Sequence, residues 1–390
     1  MFSRSLYYVC FWNLASNWPT AFVQIIYMVV FPELKGGHVQ FGSSQSIVPW
    51  ARSARELKNI PTQVLLTRML NRVGADHTFL FSTPTIELPE GAAKYLSADN
   101  PYLAEIREQY LRAIDECGFP MESLAWCDDR IASDLPLQGF RGDCCYGWQK
   151  RDCNVPAAYI LTWLYLCELG LGPILQSHVE DNLFGCVVVE YRGHKMSRDL
   201  LDSVGEIYFL KRKLKEHCLD GPINILDIGS GYGRLAHRLS REDWVGRTIC
   251  TDGIPESTFL CEYYLKFRGV AERAVVSTPL SIDRVLNKFT PTIAVNIHTF
   301  STCTLKSIQW WLEQLVKHHV HYLFIVPNAG DDDGKRLLAK EADGRRVSYL
   351  SVLDQAGYEL LAVTPKYDAL ELQAYGISPT HHYWFRLRGA

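Results

Sequence analysis

The run Ile225, Leu226, Asp227, Ile228, Gly229, Ser230, Gly231, Tyr232, Gly233, Arg234 sets an acid near the end of an apolar strand and three glycines in the turn behind it. Glycine lets a backbone turn tightly and come close to a ligand, and a helix opening after the turn offers free N–H groups, so the turn is suited to holding something polar. A dinucleotide fingerprint, Gly-x-Gly-x-x-Gly, needs glycine or alanine at the position of Arg234, which disfavours a nicotinamide-dependent oxidoreductase. A second acid, Asp252, follows the next apolar run, with Gly253 behind it. A carboxylate there can accept both hydroxyl hydrogens of a ribose diol.

These residues need elements to position them, and from residue 197 onward the pattern supplies them. Leu200, Leu201, Val204, Ile207, Leu210 and Leu214 recur at helical spacing, with Ser197 as N-cap and Asp199 in the first turn. Short apolar strands are expected over 223–227, 248–251, 275–276, 292–295, 322–326, 358–363 and 381–387, with helices over 232–240, 257–267, 305–316 and 347–355 between them. This strand-helix alternation predicts an α/β fold, a doubly wound and mainly parallel seven-stranded sheet over 196–390. Residues 1–195 show helical patches, 102–117 stopped by Gly118 and an apolar 156–169 ended by Gly170, and read as a mostly helical, aromatic-rich extension.

The Gly-x-Gly-x-Gly turn behind Asp227, followed by Asp252 after the next strand, resembles motif I of class I S-adenosylmethionine-dependent methyltransferases, a Rossmann-like fold. The resemblance implies S-adenosyl-L-methionine as cofactor: Asp227 near its amino group, the backbone of Gly229, Ser230, Gly231 and Gly233 near its methionine moiety, and Asp252 and Gly253 at the ribose. Asn296 is a further cofactor-side candidate. After the third strand, where many such enzymes read the adenine amino group, this chain has Ser277 and Thr278.

The methyl acceptor is expected beyond the fourth strand, at the carboxyl end of the sheet, in Asn296, Ile297, His298, Thr299, Phe300, Ser301. His298 has the pKa range of a general base, and Thr299 and Ser301 can hydrogen-bond a polar acceptor. His178 and Asp181 are candidates for the same pocket. The stretches 181–185 and 193–203, with Glu206, lead into the glycine motif and resemble the sugar O-methyltransferases over about 176 to 390. That resemblance implies an O-methyltransferase acting on a hydroxyl of a sugar or glycosylated metabolite. Methylation of a non-sugar polyketide or peptide product at oxygen or nitrogen, and a non-catalytic protein that keeps the cofactor fold, stand as alternatives. The aromatic side chains Trp126, Tyr146, Trp148, Tyr159, Trp163 and Tyr165 suit stacking on a sugar or a flat acceptor. Asp331, Asp332 and Asp333 read as a solvated turn rather than a metal site, so no metal is expected. His381 and His382 are adjacent in a strand and must point to opposite faces. Lys211, Arg212, Lys213 and Lys215 read as a solvated helix face.

Composition limits the partners. With 40 Lys and Arg against 43 Asp and Glu, the net charge of −3 offers no attraction for nucleic acid, and a small-molecule or glycan acceptor is expected instead. The 12 cysteines include no Cys-x-x-Cys pair, which reads as reduced thiols in a cytoplasmic protein, with Cys144, Cys145 and Cys153 as ordinary members. Residues 6–31 are apolar but broken by Asn13, Ser16, Asn17, Pro19 and Gln24, so they fall short of a membrane span and read as a buried or partner-facing segment.

Overall fold

A computed structural model describes residues 79–81, 86–121, 135–142, 155–329 and 332–389. Local signals set the main helices. The Ser197 hydroxyl accepts the Leu200 N–H at 3.1 Å and caps a 19-residue helix, Arg198–Glu216. Gly118, at φ 63°, ends the helix Pro101–Cys117, whose start is capped by the Asn100 side chain.

In chain order the strands are β1 Phe79–Phe81, β2 Val189–Tyr191, β3 His194–Met196, β4 Ile223–Ile228, β5 Val245–Thr251, β6 Ala274–Val276, β7 Ile293–Ile297, β8 Tyr322–Val326, β9 Leu338–Lys340, β10 Arg346–Ser348, β11 Tyr358–Pro365 and β12 His381–Leu387. The helices are α1 Ala92–Tyr95, α2 Pro101–Cys117, α3 Val155–Leu166, α4 Gly172–Ser177, α5 Arg198–Glu216, α6 Arg234–Leu239, α7 Pro255–Phe267, α8 Ile282–Phe289, α9 Leu305–Lys317, α10 Leu350–Gln355 and α11 Leu370–Tyr375.

Seven strands form one sheet in the order β11-β12-β8-β7-β4-β5-β6. β4 to β8 pair in parallel, and β12 runs against both β8 and β11. The parallel strands are mostly apolar, as burial on both faces requires: β8 is buried at every residue. The chain winds from β4 outward to β5 and β6, then returns to the other side of β4 for β7 and β8. That reversal opens a crevice at the carboxyl ends of β4 and β7, where open α/β sheets bind ligands.

Among the described residues of the first half, helices are joined by a small sheet. β1, β2 and β3 form a small antiparallel sheet, and the β2–β3 turn is Arg192-Gly193, both at positive φ as a two-residue hairpin needs. The apolar stretch 156–169 is not one regular helix: α3 passes into a π-helical turn, Cys167–Leu171, where Gly170 sits at φ 80°, before α4. Pro156–Ser177 is the one stretch among the described residues long and apolar enough to cross a membrane, and over half of it is buried within the protein. It packs against α5, α11 and β2.

Two expectations near the carboxyl end change. Val347 belongs to β10, which pairs with β9 around a turn holding Gly344 at φ 82°, so the helix begins only at Leu350. Lys213, expected in solvent, is 6% exposed: its ammonium stands over the Phe209 ring, 5.6 Å from the centroid, and reaches Glu216 at 2.5 Å. Trp126, Cys144, Cys145, Tyr146, Trp148, Cys153, Asp331 and the segment 6–31 lie outside the described residues.

Candidate active site

The turn after β4 is held by its neighbours. The N–H groups of Gly229 and Ser230 both donate to the Thr251 carbonyl at the end of β5, at 2.8 and 3.1 Å. Gly229 has φ 77°, and a Cβ there would stand 1.9 Å from the Thr299 Oγ1, so the turn and the loop after β7 meet with no room for a side chain. Gly233, at φ 85°, caps α6 and lies against Cys261 and Leu265, where a Cβ would approach to 3.0–3.2 Å. Arg234 has a reason of its own. Its guanidinium grips both oxygens of buried Glu206 on α5, at 2.9 and 3.0 Å, and the Ser203 hydroxyl at 2.8 Å. The residue that excludes the dinucleotide fingerprint ties α6 to α5.

The two predicted acids face one cavity. The Asp252 carboxylate accepts the Gly231 N–H at 2.9 Å and the Ile254 N–H at 3.1 Å. Burial pushes its pKa up to about 7 against the pull of those donors. Asp227, 3% exposed, has no ion-pair partner among the described residues. Burial raises it to about 7 as well, with Glu206 and Asp252 adding to the rise and Arg234 opposing it. Arg234 and Arg198 line the same cavity without pairing with it, and an acid this buried and outside ion-pair contact is suited to receive a positive group.

The cavity holds about 960 Å³ counting its open mouth, and it is lined by Asp227, Gly229, Ser230, Gly231, Asp252, Gly253, His298 and Thr299, eight of the residues expected from the sequence. The others stand elsewhere. Gly233 shapes the helix cap. Asn296 is fully buried, its amide donating to the Ile228 carbonyl at 3.0 Å and its oxygen taking the Phe300 N–H at 2.9 Å, so it fastens β7 to β4 and does not face a ligand. The Ser301 hydroxyl accepts the Asn328 N–H at 3.0 Å and orients that loop. His178 and Asp181 do not line the cavity: Asp181 is paired with Arg141 and Arg268, and His178 is buried near Arg238 and Arg241.

His298 is placed as expected but not tuned as expected. It lies in the left-handed region at φ 69°, donates its N–H to the Val326 carbonyl at 2.7 Å, and lines the cavity with its buried Nδ1 lacking a hydrogen-bond partner. Burial lowers its pKa to about 3, well below the neutral range expected of a general-base histidine, although Asp202 pulls it upward. The imidazole is therefore neutral at physiological pH and a weaker base than a solvated histidine.

The Ser277 hydroxyl is engaged with the Thr278 carbonyl and the Ser281 hydroxyl, and neither Ser277 nor Thr278 lines the cavity. Tyr159, Trp163 and Tyr165 build the core around α3 and leave this cavity to other residues: Trp163 packs on Tyr191 and His194, and Tyr165 on Tyr367. His381 and His382 do point to opposite faces, His382 buried against Phe209 and Phe324. Asp332 is occupied by the Gly334 N–H and Arg336. Among the described residues no cluster of three or more His, Cys, Asp or Glu is arranged to hold a metal.

Sequence reasoning missed Arg198, Tyr232, Ile254, Ser257, Thr302, Cys303 and Asn328, which also line the cavity. Two of them carried a signal. Arg198 follows directly on the N-cap of the helix leading to β4, and Asn328 follows the end of β8 beside the switch point.

The strand order, with β12 reversed at its place between β8 and β11, and the glycine turn after the first strand of the sheet are those of the Rossmann-like methyltransferase fold. No protein-family model matches the chain, and no curated protein matches it. Among solved structures it is similar to an S-adenosylmethionine-dependent methyltransferase from Clostridium acetobutylicum, at 11% identity over 48% of this chain and 92% of that one, with a TM-score of 0.35. It is also similar to the magnesium protoporphyrin IX methyltransferase of Synechocystis (7% identity, 49% and 82% of the two chains, TM-score 0.33) and to a methyltransferase from Aquifex aeolicus (18%, 45% and 88%, TM-score 0.31). Each likeness covers about half of this chain, and it is a likeness of fold.

Proposed function

We propose that this protein is an S-adenosylmethionine-dependent O-methyltransferase whose acceptor is a hydroxyl of a sugar or glycosylated small molecule in the cytoplasm. The observation that carries the reading is the buried Asp227 carboxylate, in ion-pair contact with no cation among the described residues, sharing one cavity with Asp252 and the glycine turn. The residues present fit the cofactor: Asp227 suits its ammonium group, Asp252 its ribose hydroxyls, and the side-chain-free backbone at Gly229 and Gly231 allows close approach. When bound, that cofactor supplies an electrophilic methyl group.

The protein's part is to hold the acceptor in line and to take its proton. His298 and Thr299 after β7 and Asn328 after β8 place hydrogen-bonding groups on one side of the cavity, which favours a polar, hydroxylated acceptor over a flat apolar one. The His298 imidazole lines the cavity and can accept the hydroxyl proton. As the new carbon–oxygen bond forms, that proton becomes far more acidic than an ordinary alcohol's, so even a base lowered to about 3 can remove it.

Calorimetric titration with S-adenosylhomocysteine tests the cofactor: no binding at millimolar concentration rejects the reading. Transfer of an isotope-labelled methyl group to sugars but not to phenolic or amine acceptors tests the acceptor class, and transfer to the latter alone overturns it.

A further inference from the structure

A buried charge network stands behind the glycine turn, and it originates in the first half of the chain. Arg141, 1% exposed, lies in the stretch 135–142. Its guanidinium reaches Glu180 at 2.5 Å, Asp181 at 2.6 Å and, through Nε, Asp199 Oδ2 at 3.4 Å. The second oxygen of Glu180 takes the Ser197 hydroxyl at 2.5 Å and Arg238 at 2.8 Å. Asp199 Oδ2 also accepts the hydroxyl of Tyr232, the residue between the second and third glycines of the turn. The Tyr232 ring is boxed by Phe140 at 5.2 Å and by Tyr264, perpendicular to it, at 5.1 Å.

Burying this many charges is expensive in desolvation, and such networks seldom return it as net stability. What a satisfied network does supply is a fixed geometry. Here the fixed points are Ser197, which caps α5, Arg238 on the helix that leaves the turn, and Tyr232 inside the turn itself. We infer that Arg141 is a positioning residue for the cofactor turn: it orients Asp199, which holds the Tyr232 hydroxyl and so sets where the backbone of 229–233 stands toward the amino-acid end of the cofactor. The inference rests on the cofactor reading above, and it gives residues of the first half a share in building the cofactor site.

The test is a double-mutant cycle in the full chain, read by the affinities for S-adenosylhomocysteine and for 5′-methylthioadenosine, which lacks the amino-acid end. Tyr232→Phe removes one hydroxyl and keeps the ring. Arg141→Lys keeps the buried charge and loses the branched geometry. Each is expected to weaken S-adenosylhomocysteine about fivefold or more while methylthioadenosine stays within about twofold, and the double variant should bind little worse than the weaker single one. Equal loss for both ligands, unchanged affinity for S-adenosylhomocysteine, or additive effects would overturn the inference. Should Arg141→Lys fail to fold, Asp199→Asn replaces it in the same cycle. Wild-type protein that binds neither ligand overturns the cofactor reading itself, and this inference with it.

Discussion

The hydroxyl of Tyr110, on α2, donates to the main-chain oxygen of Asp252 at 2.8 Å and stands 2.7 Å from the Thr258 hydroxyl. The ring is wholly buried, so a helix from the first half of the chain anchors the backbone of the acid expected at the ribose. Tyr110→Phe leaves that carbonyl without its partner. It should cost about 1–2 kcal/mol in urea unfolding and weaken adenosine-containing ligands more than it lowers stability. Unchanged affinity would show that the Asp252 turn is held by α7 alone.

Arg234 and Glu206 form a forked ion pair across α6 and α5, with Glu206 2% exposed. Arg234→Ala strands a buried carboxylate and is expected to destabilise by about 3–5 kcal/mol. Arg234→Met with Glu206→Leu should recover most of that loss. A double variant no more stable than the single one would place the cost in packing and not in charge.

Asp227 and Asp252 are both raised to about 7 by burial. Each binds protons more tightly folded than unfolded, so the stability tied to their protonated forms is complete below the ordinary carboxylate range, near pH 4. It is lost as pH rises through about 7. A cationic ligand needs Asp227 ionised. Affinity for S-adenosylhomocysteine should therefore increase from pH 5 to 8 with net proton release, measurable by titration in buffers of different ionisation enthalpy. Asp227→Asn should weaken binding, flatten that pH dependence and raise the melting temperature of the free protein at pH 8.

His298→Ala should lower turnover roughly tenfold or more while cofactor affinity stays within about threefold. With its pKa near 3, His298 adds no acid limb to the rate profile in the range where the protein is folded. A limb that disappears with this substitution would return the imidazole to the neutral range.

Gly229→Ala meets both a positive φ and the side chain of Thr299. A cost of about 1–3 kcal/mol is expected, with loss of cofactor binding. Thr299→Ala should restore little, because the backbone conformation remains. Full rescue by that second change would assign the whole effect to the contact.

Much of the fold is legible without coordinates, because it rests on local rules. Ser197 and Asn100 cap helices through their own side chains, Gly118 and Gly233 mark helix boundaries, and the parallel strands announce themselves as short apolar runs. The cradle residues Asp227, Gly229, Gly231 and Asp252 are readable for the same reason, since strand end and turn are contiguous in the chain. Val347 and Ser348 fit the start of a helix pattern yet pair with β9 as the end of β10, and the π turn at Cys167 lies inside a uniformly apolar run, where periodicity cannot discriminate.

The acceptor side shows where local reading stops. Asn296 on β7 and His298 just past its end are two residues apart, yet His298 lines the cavity and Asn296 joins β7 to β4. Residue type proposes both, and only the partners brought by other strands separate them. The sequence by itself determined the α/β class, the glycine turn and its two acids, because these depend on backbone conformation and on residues adjacent in the chain. Tertiary structure decided the rest: the burial that takes His298 down and the two acids up, the engagement of Asp181 and Ser301 in scaffolding, and the reach of Arg141 and Tyr110 from the first half to the glycine turn and its second acid. Burial and long-range pairing depend on contacts between residues tens to more than a hundred positions apart, and no local pattern encodes them.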